Sequence, residues 1–204
     1  MILVYGYLFY YAAALMGVSV GYHRYFSHRT FKTNQFVETV MLTFGMICGG
    51  RSPLTWCAVH RMHHSTSDTD KDPHSPVYKG ARAVILSKWR VNYIPRKYMM
   101  DLIRNPRVMF FHNYGRYLYL AYAIFTLLLG VNAFLIFCAI PFVLAYFSFG
   151  LLNYVTHRTG EPRDVPIMNL FAPGEGWHRH HHQHPMHSSL HRFDPAGWVI
   201  KCIA

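Results

Sequence analysis

Residues 2–28 read ILVYGYLFYYAAALMGVSVGYHRYFSH, an uncharged apolar run that ends on His23-Arg24 and reaches a second histidine at His28. Residues 2–22 are long enough to cross a hydrocarbon core of about 30 Å as one helix, so the chain leaves a membrane directly into imidazole side chains. Two more clusters follow, His60-Arg-Met-His63-His64 and His178-Arg-His-His181-His182, with His157 between them, four residues after Asn153. Imidazole is the commonest metal-ligating side chain near neutral pH, because it binds through either ring nitrogen while uncharged. This many histidines beside apolar stretches predict a polyhistidine site for more than one metal ion at a membrane surface.

Composition agrees with a half-embedded chain. The 204 residues suit a single domain, 1–204; 52% are hydrophobic and only 14% charged, which is poor in charge for a soluble domain. Mean hydropathy is nevertheless only +0.09, so much of the chain lies outside the bilayer. The net charge of +11 fits basic loops on the cytoplasmic side of a membrane or a docking face for an acidic partner. Nucleic acid is excluded, since the basic residues are scattered and no binding motif is present. Cys48, Cys57, Cys138 and Cys202 form no CxxC pair, against zinc-ribbon and iron–sulfur sites and in keeping with a reducing compartment. The N-terminus lacks the basic n-region of a secretory signal.

The pattern predicts an all-α integral membrane protein with three to four transmembrane helices and a cytosolic helical cap. Segment 36–59 is apolar but holds Glu38, Arg51, Pro53 and Gly49-Gly50, and reads as a re-entrant or interfacial element broken at the glycines. Residues 60–116 and 153–204 form the cap, with turn signals such as Asp68-Thr-Asp-Lys-Asp72-Pro73. Segment 117–152 is long enough to cross twice as a tight hairpin. Two crossings return the chain to the face of the first two clusters, where the third must be.

Helical geometry sorts the histidines. At about 100° per residue, His60, His63 and His64 crowd one face while adjacent His63 and His64 diverge, which predicts that they serve different ions. His178, His181 and His182 repeat that geometry. His23 and His28 sit about 140° apart on a regular helix, so one of them must lie past the helix end or on a distorted turn. His74, His112, His184, His187 and His191 fit no repeated spacing and read as surface residues, and His180 points off the third triad's face. Imidazole alone does not choose among Zn, Cu, Fe and Ni. A carboxylate di-iron bundle needs two Glu-x-x-His motifs and two more Glu, whereas only Glu175-Gly-Trp-His178 has that spacing here.

The motifs themselves carry a resemblance. Gly21-Tyr-His23-Arg-Tyr-Phe-Ser-His28, Trp56-Cys-Ala-Val-His60-Arg-Met-His63-His64, Asn153-Tyr-Val-Thr-His157 and Gly174-Glu-Gly-Trp-His178-Arg-His-His181-His182 resemble the three histidine boxes of the membrane fatty acyl desaturases, Δ9 acyl-CoA or acyl-lipid type. The resemblance covers Gly21 to about Pro185. It implies two iron ions held by His23, His28, His60, His63, His64, His157, His178, His181 and His182, with Asn153 reaching one of them through a water. It implies O2 as co-substrate and removal of two hydrogens from a saturated acyl chain to leave a cis double bond at Δ9. Trp56 matches a position that lines the acyl tunnel, though an interfacial aromatic also serves as a membrane anchor. The fatty acyl substrate would arrive on CoA, acyl carrier protein or lipid. Electrons would come from a separate donor of ferredoxin or cytochrome b5 type. The resemblance also implies a multi-pass membrane protein with its metal site on the cytoplasmic face.

Two features depart from that family. Only one apolar run precedes His23, where two are usual, and the histidine-rich tail from His184 to His191 is atypical. Two other readings stand beside desaturation: hydroxylation or acetylenation of an acyl chain at the same site, and a non-enzymatic membrane metal-binding or transport protein. Transport sites lie near the bilayer midplane, away from the span ends where these clusters fall.

Overall fold

A computed structural model describes residues 1–50 and 52–204, and every regular element among them is helical. Arg51, one of the charges that set segment 36–59 apart, lies outside the described residues. Helix α1 is Ile2–Ser27, α2 is Gln35–Ile47 and α3 is Pro53–Thr66. The short helices α4 (Pro76–Lys79), α5 (Ala81–Ile85) and α6 (Met100–Ile103) lead to α7, Pro106–Leu128. After a turn at Leu129–Gly130 comes α8, Val131–His157, then α9, His178–Gln183, and α10, Pro195–Ile203. Of these, α1 and α8 are long and apolar enough to cross a membrane.

Local chemistry sets the helix starts. Asn34 accepts a hydrogen bond from the Val37 N–H, Ser52 from Thr55, Asn105 from Arg107 and Val108, and Asp194 from Ala196. Proline follows the cap in α3, α7 and α10, where its missing N–H costs nothing. Between α2 and α3 the chain reverses through Gly49, whose φ of +67° is open to glycine without strain. Segment 36–59 is therefore divided between helices α2 and α3, and the second histidine cluster rides on α3.

Both long helices are distorted where sequence demands it. From Ala14 to Ser27, α1 winds with π-type spacing, and the His28 N–H bonds the His23 carbonyl. Such i→i+5 bonding brings residues five apart nearly into line, so the two histidines of the first cluster meet on one side, their rings 5.1 Å apart. In α8 a π-type stretch, Leu135–Ala139, precedes Pro141. Proline cannot donate to the Phe137 carbonyl one turn back; the Tyr122 hydroxyl of α7 does so instead, at 2.6 Å.

Packing fixes the directions. Gly6 lies against Ile140, while Tyr10, Ala14 and Val18 gather with Ala145, so α1 and α8 run parallel and α7 antiparallel between their ends. The two spanning candidates thus deliver His23 and His157 from the same end. Helix α2 docks on the upper half of α1 with the Gly17 and Gly45 backbones in contact, leaving no room for a Cβ at Gly17. Val20, Tyr22, Phe26, Met41, Leu42, Cys57 and Val108 fill the space among α1, α2, α3 and α7. Apolar side chains at the opposite end, including Leu3, Leu8, Leu120, Ile124, Phe125 and Leu128, stay exposed.

The observed boundaries extend the expected ones. The helical hairpin runs from Pro106 to His157 rather than over 117–152, because its polar first turns still meet helical requirements once Asn105 caps them. The segments expected above the bundle also flank it. Tyr146 and Gly150 of α8 hold Leu86 and Ile85, and Tyr7 and Tyr10 of α1 bond the Leu170 and Phe171 carbonyls.

Candidate metal centre

Helices α1, α3, α8 and α9, with His28 just past the end of α1, converge at one end of the bundle and bring the nine boxed histidines into two adjoining groups. His23, His28, His60, His64 and His181 form one; His63, His157, His178 and His182 form the other, with potential ligand atoms inside each group within 4.8 Å of one another. Helix α3 sends His60 and His64 to the first group and His63 to the second. Helix α9 sends His181 to the first and His178 and His182 to the second. The groups abut where His64 and His182 stack at 4.2 Å.

The ring nitrogens point inward. Nε2–Nε2 separations are 2.8 Å for His23–His181, His28–His60 and His157–His178, and 2.9 Å for His64–His181. Nε2 of His63 and of His182 is buried with no hydrogen-bond partner. Burial first, and neighbouring imidazoles second, push His60, His178, His181 and His182 well below the ordinary imidazole pKa and His64 down to about 3. Their lone pairs are therefore free at neutral pH. Converging neutral imidazoles with orphaned inward nitrogens are a donor set that fits two transition-metal ions.

Three buried or nearly buried carboxylates set the outer nitrogens. Glu175 accepts from His23 Nδ1 at 2.7 Å, Asp72 from His63 Nδ1 at 2.9 and 3.0 Å, and Asp68 from His157 Nδ1 at 2.9 and 3.1 Å. Each accepts the Nδ1 proton and so selects the tautomer that leaves the Nε2 lone pair facing inward. Asp72 also accepts from the Asp68 and His74 N–H groups, which folds the Asp68–Asp72 turn under α3. Sequence reading singled out that turn and the Glu175-x-x-His178 spacing but assigned neither a role at the site. A carboxylate run just past an HxxHH helix was the signal available. Among the described residues, Glu175 serves as an acceptor for a histidine rather than as a member of either group.

Arg61 braces the centre from behind, donating to the Phe26, Ser27 and Tyr98 carbonyls and to both Asp101 oxygens. Below the histidines lies a cavity of about 650 Å3. Its lining mixes apolar side chains (Val18, Phe142, Ala145 and Phe149) with His23, His60, His178 and Glu175 of the histidine centre and the polar Arg90 and Asn92. Trp56 and Asn153 both face it, and Trp56 stacks on His60 at 5.2 Å.

The other histidines divide. His74 is buried against His63 rather than on the surface, its ring 4.2 Å away, because Asp72 pulls the turn inward. His112 is half-buried, with Nδ1 2.6 Å from the Ser52 hydroxyl, and His191 half-buried on Trp177. His184 and His187 are exposed.

The sequence pattern of the fatty acid desaturase family matches residues 1–196. The chain is 28% identical over 189 residues to an sn-1 stearoyl-lipid 9-desaturase of Anabaena variabilis, covering 86% of this chain and 69% of that one. It is 28% identical over 209 residues to an sn-2 palmitoyl-lipid 9-desaturase of Nostoc sp. (strain 36), covering 92% and 73%. A hex-5-enoyl-[acyl-carrier protein] acetylenase of Moorena producens is 48% identical over a shorter stretch of 66 residues, 32% of this chain and 20% of that one. The chain spans between 61% and 73% of the length of the Δ9-type relatives it matches.

Proposed function

The chain belongs to the fatty acid desaturase family, and from that premise we propose that it is an O2-dependent acyl desaturase that inserts a cis double bond at Δ9. The observation that carries this reading is two inward-facing histidine groups whose members His23, His60 and His178 line a cavity shared with apolar side chains such as Val18, Phe142 and Phe149. The five-histidine group would hold one iron ion. The four-histidine group would hold the second, with Asn153 completing it through a water. Iron bound there would supply the redox chemistry with O2 that no side chain offers an unactivated methylene.

The protein's own part is positioning and drying. Phe142, Phe149 and Leu152 exclude water along the acyl path, Trp56 holds the chain beside His60, and Arg90 and Asn92 meet the polar end of the substrate. Confinement of this kind lowers the barrier by fixing geometry before reaction. Asp68, Asp72 and Glu175 hold the ring proton on Nδ1, so that Nε2 would face the metal, and add negative charge beside the cations.

In this reading α1, α7 and α8 cross the membrane, α2 and α3 lie at its surface, and the histidines face the cytoplasm. The acyl group arrives on lipid, CoA or acyl carrier protein. A separate donor of ferredoxin or cytochrome b5 type supplies electrons, attracted by the basic surface. A second reading, acetylenation at the same site, draws on the 48% identity to the Moorena acetylenase.

Expression in a desaturase-deficient host, with total fatty acids analysed by gas chromatography–mass spectrometry, tests the proposal. A new Δ9 mono-unsaturated acid is expected. A triple bond would favour the second reading, and an unchanged profile in cells whose chain holds two irons would refute both.

A further inference from the structure

The histidine-rich stretch after the third cluster takes no part in the inner centre, yet its geometry is ordered. On helix α9 His180 stands about 160° from His178, and His184 follows directly at the end of the helix. Two consecutive turns hold the next histidine beside them. The His184 N–H bonds the His180 carbonyl at 2.9 Å, and the His187 N–H bonds the His184 carbonyl at 3.0 Å. Pro185, inside the second turn, limits the backbone further. The resulting ring centroids lie 4.8 Å apart for His180–His184, 4.9 Å for His184–His187 and 5.7 Å for His180–His187.

We propose that His180, His184 and His187 form a second, mononuclear metal site, an outer triad that takes one borderline divalent transition ion such as Zn2+. Three imidazoles suit such an ion and leave a fourth position for water. Their nitrogens do not converge as the rings stand, but His184 and His187 are exposed, which leaves their side-chain torsions free to turn toward a shared ion. Two backbone turns already hold the spacing, so little chain entropy is lost on binding. His191 does not join them: its ring is stacked on Trp177 and its Nδ1 accepts from the Phe193 N–H.

Occupancy has a mechanical consequence. Helix α9 has only six residues, too few to be stable alone, and it carries three histidines of the inner centre. An ion bridging His180 to the 184–187 turn ties down the C-terminal end of that helix. The outer triad is then an ancillary clamp, independent of what reaction the inner centre performs.

The test uses the purified full chain in detergent, loaded with iron and dialysed against Zn2+, with zinc and iron counted separately by mass spectrometry. The unaltered protein should take up one zinc per chain without losing iron. The His184→Ala/His187→Ala double variant should bind that zinc at least tenfold more weakly and keep its iron. His180→Gln, which leaves both turns intact, should do the same. Zinc should also slow amide exchange across residues 178–187 in the unaltered protein but not in the variants. No zinc uptake, equal uptake by the variants, or uptake matched by iron loss would each overturn the proposal. The separate iron count keeps its failure distinct from a failure of the desaturase reading.

Discussion

Replacing Glu175 by Gln tests how the inner centre is tuned. Glu175 is buried, and its carboxylate accepts from His23 Nδ1 at 2.7 Å, a short bond to an anionic acceptor. Glutamine keeps the side chain's size and an acceptor oxygen but removes the charge that makes the imidazole a stronger donor to metal. Loss of such an outer partner typically lowers metal affinity about 10- to 100-fold, or about 1.4–2.7 kcal/mol. His23 belongs to the five-histidine group alone, so the loss should fall on one of the two ions. Titrating the iron-loaded protein with a competing chelator reads this out. One iron per chain should leave at a chelator concentration about 10- to 100-fold lower than in the parent, while the other follows the parental curve. Glu161→Gln is the control, since Glu161 is exposed and meets Arg179 only at 3.9 Å. Superimposable chelator curves for Glu175→Gln and the parent would refute the reasoning.

Three other outcomes are expected. His182→Ala should abolish turnover and lower bound iron, whereas His187→Ala, compared with the parent in the absence of added zinc, should leave turnover and iron unchanged; fatty-acid analysis and metal counting check both. Gly17→Ala sets a methyl against the Gly45 backbone, and overpacking of this kind costs about 1–3 kcal/mol, so the thermal midpoint in detergent should fall while Gly115→Ala, facing open space, leaves it nearly unchanged. Burial would raise the Asp101 carboxyl, but hydrogen bonds from Arg61 and Arg29 override it and hold its pKa well below the ordinary carboxylate value of 3.8. A depressed folded-state pKa contributes stability that is present above 3.8 and lost only as pH falls through the lower folded value. Asp101→Asn should therefore lower the thermal midpoint at pH 7, with the difference from the parent narrowing only in strong acid.

Much of the site was legible because helical spacing is local. The i, i+3, i+4 pattern put His63 and His64 on diverging directions, and α3 does send them to different groups. The HxxxxH spacing signalled a distortion, which takes the form of π-type winding through Ser27. What escaped depends on partners far along the chain. The place of His74 follows from the Asp72 turn, and that of Glu175 from a histidine 152 residues earlier. Arg24 read as a charge at a span end, yet it is buried on Asp194, which joins α1 to the start of α10. Periodicity carries no trace of such pairings. The apolar hairpin was found by hydropathy but its ends were not, since Asn105 and Pro106 start a helix before the polarity changes.

The central claim is that nine histidines on and beside four helices hold two irons, and counting metal in the purified chain tests it most directly. Iron should be present at two per chain in the parent, and His64→Ala and His182→Ala should each fall below that. One iron or fewer in a correctly folded parent, or full loading in both variants, would contradict the account.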